Sequence, residues 1–410
     1  MLQAIKNHDE IQLEPLTLEQ IARVGAQEML ARALNAEIES YLGQHAEVRT
    51  PEGRPAVVRN GFHRPRTLQS TAGPLEITVP RSRSRVAGIP AYVSALIPKY
   101  LRKTLTLEDA LPLFYLGGLS NGDFLPCFQK LFGSAVAGLS PATITRLKQT
   151  WSAELAQWQQ RDLHECRYCY WWVDGIHFNL RLEADRLCVL VIIGAGVDGR
   201  KELVAVAGGY RESTESWREL LRDLQQRGLS APRLAIGDGA LGFWGASEEL
   251  YPQAQHQRCW VHKTANVLDK MPKSVQAQAK QLLHDMYQAE TEKQARASYH
   301  TFIERYQAKY PKAVACLTKD EDRLFTFYQF PAEHWQHIRS TNVIESTFAT
   351  IRLRTQKTRG QGTLTTTLAM VFKLAERASG RWRRLRGFKL IPMVVNGVKF
   401  KDGKLETIAA

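Results

Sequence analysis

The chain has 410 residues, which at roughly 100 to 200 residues per domain is enough for two to four domains, each with its own core. Lysine and arginine number 55 against 41 aspartates and glutamates, a net charge of +14. This excess predicts a polyanionic partner, nucleic acid first, and argues against an acidic or neutral metabolic enzyme. With 44% hydrophobic and 23% charged residues, a disordered chain, a collagen and a coiled-coil rod are excluded.

The sequence carries no signal for a membrane or an export pathway. No apolar run reaches the roughly 18 residues that a membrane-spanning helix needs. Residues 1–15 lack the apolar core of a signal peptide. The six cysteines are unevenly spaced and form no disulfide framework. We therefore expect a cytoplasmic protein with reduced thiols and no membrane association.

Residues 1–103 are predicted to form a helical and basic arm region. Apolar residues at three- and four-residue spacings over 17–42 predict one helix or a broken pair. From 49 to 103 there are eleven lysines and arginines against Glu52 and Glu76, a net charge of +9. Interleaved prolines and arginines suit an extended arm on the DNA backbone, although such a run is as often a solvated surface.

Residues 104–160 are predicted to form three helices. The third begins with Ser140 as N-cap and Pro141 at the first helical position. A glycine-broken helix followed by a capped helix fits a helix-turn-helix, with Arg146 and Lys148 on the free side as DNA contacts. A plain helical bundle that connects domains fits the pattern equally well, and only the basic charge favours DNA binding.

The periodicity changes to that of β-structure from residue 168. Three strands linked by hairpins are followed by a helix over 215–227, a strand over 233–238 and another over 256–262. This order is that of an RNase H-like fold, a mixed sheet with helices on its faces. A Rossmann fold is excluded, because it needs alternating strands and helices and a glycine-rich first turn.

The remainder of the chain is predicted to be helical. Residues 263–339 read as two or three helices inserted into the core that starts at 165 and breaks at 262. Residues 340–380 return to the core as two helices, and 381–410 are a basic tail. From 346 to 410 fourteen lysines and arginines face three acidic residues, a net charge of +11. The predicted fold is an α/β catalytic core with an RNase H-like mixed sheet, interrupted by an all-helical insertion and preceded by a helical DNA-binding region.

Asp174 stands in the middle of the first strand, after the run Tyr-Trp-Trp-Val and before Gly175. An ionised carboxylate is costly to bury unless something compensates its charge, and a metal ion would do so. The alternative is a turn aspartate in an Asp-Gly hairpin, which an isolated pair favours about two to one. That hairpin already has a turn at 184–186, so we expect Asp174 to be a ligand.

Two further carboxylates belong with Asp174. Asp238 closes the strand over 233–238, and Glu345 lies on a later helix that shares a face with Asn342 and Arg352. Each alone is weak, because loop aspartates and solvated helix glutamates are common. Together, three acidic residues suit two Mg²⁺ ions about 4 Å apart, one at the attacking and one at the leaving oxygen of a phosphoryl transfer. Mn²⁺ is expected to substitute.

The stretch from Asp238 to His262 carries spaced residues that resemble a family signature: Asp238, Gly242-Phe243, Pro252, Ala254, Gln257, Cys259 and His262. Their order and spacing are similar to those of the Mutator-type transposases of bacterial insertion sequences, DDE enzymes on an RNase H-like core. Leu250 departs from this pattern, since the family usually has a small residue there. The resemblance covers most of the chain, including Val-Asp-Gly at Asp174 and Ser-Thr-Asn-Val-Ile-Glu-Ser-Thr around Glu345.

The resemblance implies roles for these residues. Asp174, Asp238 and Glu345 look like the DDE triad, and the helical insert is similar to the family's insertion domain. His262 would contact the scissile phosphate or orient Asp238, while the role of Cys259 stays open. The family also implies pairing of DNA ends by at least a dimer and a circular transposition intermediate.

Cys259 and His262 have a second interpretation. With Cys166 and Cys169 they could form a Cys₃His zinc site, but about ninety residues separate the two pairs. Cys169 alone fits a small core residue of the first strand.

The sequence thus predicts a DDE transposase that catalyses Mg-dependent DNA cleavage and strand transfer at the ends of an insertion sequence. Its partners are the terminal inverted repeats and target DNA, and it acts as a homodimer or higher oligomer. Basic residues that follow the third carboxylate would hold the DNA backbone: Arg352, Arg354, Lys357 and Arg359. The alternatives are a non-catalytic DNA-binding regulator derived from a transposase and a stand-alone RNase H-like nuclease or resolvase.

Overall fold

The computed structural model describes residues 17–119, 122–132, 141–179, 186–209, 213–239, 241–357 and 363–406. The chain divides into two compact units, Met1–Leu147 and Lys148–Ala410. No helix in the described ranges has the length and hydropathy needed to cross a membrane.

The first unit begins with helix α1, Leu18–Gln44, which Thr17 caps by accepting a hydrogen bond from the Gln20 amide. Four strands follow: β1 Val57–Phe62, β2 Arg66–Ser70, β3 Gly73–Ile77 and β4 Pro80–Ser84. β1 pairs with β4 and β2 pairs with β3, both antiparallel. The single helix agrees with the prediction for residues 17–42.

The predicted extended arm is instead a folded β-structure packed on α1. Leu68, Leu75 and Ile77 are buried with Leu34 of the helix in one hydrophobic cluster. The basic residues of β4, such as Arg81, alternate with buried positions and face outward. The prediction of an extended arm is wrong. The many arginines drew attention away from the apolar residues between them, which form one face of the β-structure and pack against α1.

Three helices follow, as predicted: α2 Leu105–Leu116, α3 Phe124–Phe132 and α4 Pro141–Gln159. In α4, Ile144, Trp151 and Leu155 are buried, at the three- to four-residue spacing of one helix face. Ser140, the predicted N-cap, lies outside the described residues.

The second unit is built on a five-stranded mixed sheet. Its strands are β5 Tyr168–Asn179, β6 Arg186–Gly196, β7 Lys201–Gly209, β8 Leu234–Gly237 and β9 Gln255–Arg258. Their order across the sheet is β7-β6-β5-β8-β9. The first three strands are antiparallel neighbours, while β8 runs parallel to both β5 and β9. The predicted order of strands and helix is confirmed.

Two helices cover one face of this sheet: α5, Thr214–Gln226, and α6, Leu241–Leu250. Trp217 of α5 and Phe243 of α6 are buried in one cluster with Trp171 and Val173 of β5. Burial of both sheet faces explains why β5 and β6 are almost continuously apolar rather than alternating.

The predicted strand over 256–262 is wrong beyond Arg258. Helix α7, Trp260–Leu268, begins directly after Cys259, its N-cap. Trp260, Thr264 and Val267 are buried, and this spacing of three to four residues is helical rather than β.

Helices then dominate the chain, in larger number than the two or three predicted for residues 263–339. They are α8 Lys273–Gln288, α9 Glu292–Tyr306, α10 Pro311–Thr318, α11 Glu321–Leu324, α12 Trp335–Ile338, α13 Asn342–Lys357, α14 Leu364–Ser379 and α15 Ile391–Val395, with short 3₁₀ segments Thr326–Gln329, Ala332–His334 and Phe388–Leu390. Contrary to the prediction, a last hairpin follows, β10 Phe400–Lys401 with β11 Lys404–Leu405.

The predicted basic tail is folded in its described part. The amide of Leu385 donates to the Gly199 carbonyl in the turn between β6 and β7, and Lys201 donates to the Arg383 carbonyl. Ile391 is fully buried. The high charge of this segment therefore lies on a packed surface layer of the second unit.

Candidate active site

Asp174 lies on β5, and Asp238 directly follows the neighbouring strand β8. In the parallel register, Val173 of β5 pairs with Gly237, the last residue of β8, so each aspartate comes one residue after this paired position. Neighbouring strands are about 4.8 Å apart. Asp174 is 6% exposed, and its backbone pairs with Val191 of β6. Its side-chain carboxylate accepts a hydrogen bond of 2.8 Å from the Gly175 amide.

This placement excludes the turn interpretation of Asp174. Strand β5 continues through Gly175 to Asn179, so the Asp-Gly pair is not a hairpin turn. The turn predicted at 184–186 begins outside the described residues, which resume at Arg186.

Glycines flank Asp238 because there is no space for a side chain. A Cβ on Gly237 would lie 3.0 Å from the Trp244 ring and 3.2 Å from Val173. Gly239 has a φ of +97°, and a Cβ there would overlap the guanidinium of Arg258. After Asp238 the chain therefore turns away from β8 at Gly239, whose backbone conformation strongly favours glycine.

The Cys259–His262 pair reaches Asp238 through the backbone. The Cys259 amide donates to the Gly237 carbonyl at 2.7 Å, which holds the start of α7 beside the end of β8. His262 lies in the first turn of α7. The hydroxyl and the amide of Thr341 both donate to the Cys259 thiol at 3.3 Å, and the hydroxyl also lies 3.3 Å from His262 Nδ1.

Glu345 joins the group from the first turn of α13. Its Oε1 is 3.3 Å from His262 Nε2, and its Oε2 is 3.1 Å from Arg352 Nη1. The side chain is 28% exposed, so it lies at the boundary between protein and solvent. A carboxylate in the first turn of a helix is also favoured by the helix dipole.

The electrostatics link these groups. Hydrogen bonding to Cys259, and next to Glu345, raises the pKa of His262 to about 10, with a smaller contribution from the charge of Asp238. The contact with His262 is the main reason why the pKa of Glu345 is lowered. His262 therefore interacts with both Asp238 and Glu345, and each of these carboxylates favours its protonated form.

The three carboxylates have the donor chemistry that Mg²⁺ prefers, hard oxygen ligands. Asp174 and Asp238 are neighbours, whereas Glu345 is engaged with His262 and Arg352. Within the described ranges, no group of three His, Cys, Asp or Glu side chains is placed to hold one metal ion. A shared ion would thus require the Glu345 side chain to exchange His262 for the metal.

The zinc interpretation does not fit the sheet. Tyr170 of β5 pairs with the start of β8, and Gly237 at its end pairs with Arg258 of β9. Cys169 therefore lies about five residues, or roughly 16 Å, from the level of Cys259 along the strand direction. Cys169 is fully buried, as expected for a core residue.

The predicted DNA contacts have different environments. Arg146 is exposed and Lys148 is half-buried on α4. Arg352 pairs with Glu345. Arg354 is only 2% exposed, so its prediction as a surface DNA contact is wrong: it lies on the inward side of α13. Lys357 ends α13, and Arg359 lies outside the described residues.

A buried ionic cluster that the sequence does not predict lies at the end of β9. Arg258 and Lys263 both bind the carboxylate of Asp320, at 3.1 and 2.7 Å. Arg258 is the last residue of β9 and is itself buried, which is rare for an arginine unless its charge is paired. Thr341 falls within the Ser-Thr-Asn-Val-Ile-Glu-Ser-Thr stretch around Glu345, but its contacts with Cys259 and His262 depend on the tertiary fold.

Comparison with known proteins agrees with the motif. The model described as "Transposase, Mutator family" matches residues 2–384. The transposase for insertion sequence element IS6120 of Mycolicibacterium smegmatis is 50% identical over 299 residues, 73% of this chain and 92% of that protein. The transposase for IST2 of Acidithiobacillus ferrooxidans is 48% identical over 281 residues, 67% and 93% of the two chains.

Among solved structures, a magnesium complex of the HTLV-2 integrase catalytic core domain matches 41% of this chain and 89% of its own, at 14% identity and a TM-score of 0.18. That score is too low to support a conclusion. The family match spans nearly the whole sequence, and two relatives are about half identical over most of their length. The chain belongs to the Mutator family of transposases.

Proposed function

We propose that this transposase cleaves and joins DNA at the ends of an insertion sequence by metal-dependent phosphoryl transfer at Asp174, Asp238 and Glu345. The observation that supports the proposal is the register of β5 and β8, in which Asp174 and Asp238 each follow the paired residues Val173 and Gly237. Glu345 lies 3.3 Å from His262, which also interacts electrostatically with Asp238.

The order β7-β6-β5-β8-β9, with the first three strands antiparallel and the last two parallel to β5, supports an RNase H-like core. In such a core, acidic residues at the ends of the central strands act together with a carboxylate from a later helix. We assign residues 165–262 and 340–380 to this core, and 263–339 to the helical insertion.

The residues would divide the work as follows. Bound Mg²⁺, two ions or Mn²⁺ in their place, would neutralise charge on the attacking and leaving oxygens. Asp174 is a carboxylate buried within a strand, and Asp238 lies between two glycines that pack closely against Trp244 and Arg258. His262 would hold Glu345 before the metal binds and then face the scissile phosphate. Positioning of this kind is most of what phosphoryl transfer needs from a protein.

DNA is the partner that the charge distribution supports. In the first unit, Arg81 and Arg83 of β4 are exposed within the segment of net charge +9. We assign end recognition to this surface and to the helices over 104–160, and expect a homodimer or higher oligomer on the terminal inverted repeats. Affinity for duplex ends should fall steeply with salt, by a log–log slope of roughly −0.9 per phosphate contacted.

The test is Mg²⁺-dependent nicking at an element end, run beside binding to the same DNA. Asp238→Asn and Glu345→Gln should lose cleavage, by at least about a hundredfold, and keep end binding. Glu333→Gln is the matched control, because this glutamate is exposed and lies outside the site. Its cleavage should equal that of the wild type.

Two outcomes would favour the alternatives. A wild-type protein that binds element ends but does not cleave them would indicate a DNA-binding regulator without catalysis. Cleavage of branched or arbitrary duplexes, with no preference for element ends, would indicate a stand-alone nuclease or resolvase. Inverted repeats beside the coding sequence would speak for the transposase over both.

A further inference from the structure

The buried cluster of Arg258, Lys263 and Asp320 connects the helical segment to the site. Asp320 lies between α10 and α11, Arg258 ends β9, and Lys263 lies on α7. The side chains of Arg258 and Lys263 are 6% and 2% exposed, and that of Asp320 is 16% exposed. Lys263 Nζ also donates to the Cys316 carbonyl at 2.7 Å. One carboxylate thus joins three elements.

Arg258 is also in contact with the turn that follows Asp238. The space that a side chain on Gly239 would need is filled by the Arg258 guanidinium. The Cys259 amide, next along the chain, donates to the Gly237 carbonyl. The end of β9 therefore contacts the residues immediately before and after Asp238.

The charge of the cluster matches this position. Two buried cations share one carboxylate, so the cluster carries an excess positive charge next to Asp238. Arg258 Nη1 is buried and has no hydrogen-bond partner among the described residues. A buried donor of this kind costs free energy unless it meets an acceptor, and the Asp238–Gly239 turn is beside it.

We propose that Arg258, held by Asp320, is the positioning residue that fixes the Asp238 carboxylate for metal binding. The helical segment then contributes to the active site through one ion pair rather than through a ligand of its own. Residues that orient metal ligands in this way commonly change metal affinity or activity by 10- to 100-fold when altered. This inference rests on the proposed function, because it assumes that Asp238 binds the metal.

The experiment is a titration of the full chain with Mn²⁺, followed by the electron paramagnetic resonance of free Mn²⁺, beside thermal unfolding of the metal-free protein. Asp320→Asn keeps the shape of the side chain and removes the charge that holds Arg258. We expect its Mn²⁺ affinity to fall about tenfold or more. Asp322→Asn is the matched control, since Asp322 has a side chain that is 74% exposed, and its affinity should stay within twofold of the wild type.

Asp320→Asn also leaves two cations without their partner and will lower the unfolding temperature. Arg258→Lys separates the two effects, because it keeps the charge and an ion pair with Asp320 but lacks the planar group that lies against Gly239. It should unfold near the wild-type temperature and still bind Mn²⁺ about tenfold more weakly. If Asp320→Asn does not fold, Arg258→Lys decides the matter alone.

Asp238→Asn identifies the site in the same titration. Mn²⁺ binding that is lost in Asp238→Asn but unchanged in both Arg258→Lys and Asp320→Asn would overturn the positioning role and leave the proposed function intact. A wild-type protein that binds no Mn²⁺, or binding that Asp238→Asn does not weaken, would overturn the proposed function and this inference with it.

Discussion

The two halves of the candidate site are held by different forces. Asp174 lies within β5 and pairs with Val191 of β6, and Asp238 directly follows Gly237, the last paired residue of β8. His262 and Glu345 lie on the first turns of two helices that meet through side chains, chiefly Thr341 with Cys259 and His262 with Glu345. The sheet half is therefore set by the fold itself, while the helix half depends on a few polar contacts.

Removing a carboxylate from each half should separate their roles. We expect Asp174→Asn and Glu345→Gln both to reduce cleavage at least about a hundredfold. In the metal-free protein, the two substitutions should shift the unfolding temperature in different directions. Asp174→Asn removes a buried charge next to Asp238 and should unfold at the same temperature as the wild type or higher. Glu345→Gln loses its ion pairs and should unfold lower.

Thermal unfolding in the presence of a chelator measures this difference. If Asp174→Asn proves markedly less stable than Glu345→Gln, then the buried carboxylate is a structural group rather than a metal ligand. The nicking assay on the same preparations shows whether both halves are needed.

Acid should destabilise the helix half before the sheet half. The reason is that Asp320, whose carboxylate binds Lys263 of α7, becomes protonated. Burial acts to raise the pKa of Asp320, but Lys263 and Arg258 outweigh it and the pKa lies below the ordinary 3.8. A lowered folded pKa contributes stability above the unfolded pKa, and this stability is lost as the pH falls through the folded value. The backbone hydrogen bonds of β5 and β8 do not titrate in this range.

The measurement is urea unfolding of the wild type and Asp320→Asn at several pH values. We expect the stability difference to be constant from pH 7 to about pH 5 and to shrink below pH 4. A difference that persists unchanged at pH 3 would show that Asp320 acts through its shape and hydrogen bonds rather than its charge.

The sheet half can be broken by volume instead of charge. Gly237→Ala places a Cβ 3.0 Å from Trp244 and 3.2 Å from Val173, and overpacking of this kind costs about 1–3 kcal/mol. Gly245→Ala on α6 is the control: its nearest neighbour is Thr214 at 3.4 Å. That helical substitution should be neutral or stabilising by up to about 1 kcal/mol. Equal unfolding temperatures for the two variants would mean that the side chains at the end of β8 shift to accommodate the added methyl group at little cost in free energy.

The sheet half of the site could be predicted from the sequence more fully than the helix half. The strands and Asp174 were predictable, because long apolar runs make an isolated carboxylate conspicuous. Helix α7 was mistaken for a strand, since Cys259, Trp260 and Val261 form a short apolar run in either structure. Arg354 was taken for a surface cation, because its burial depends on what α13 packs against.

The ionic cluster at Asp320 and the hydroxyl of Thr341 were beyond sequence analysis for a related reason. Each acts through partners far away in the chain, 57 residues from Asp320 to Lys263 and 82 from Thr341 to Cys259. No local pattern encodes such a contact.

The smallest expected effects test whether the polar contacts of the helix half are specific. Thr341→Val removes the hydroxyl that donates to Cys259 and lies beside His262, while keeping the shape of the side chain. Loss of such a hydrogen bond costs about 1 kcal/mol, and the freed His262 ring should slow cleavage several-fold. Urea unfolding and the nicking assay measure the two consequences.

Thr347→Val, on the same helix, is the matched control. Thr347 is 1% exposed, and its hydroxyl has no hydrogen-bond partner in the described part of the chain. Replacing an unsatisfied buried hydroxyl with a methyl group should leave stability unchanged or raise it, with wild-type cleavage. If both valine variants behave alike, the Thr341 hydroxyl does not hold His262, and the two helices of the site are kept together by their packing alone.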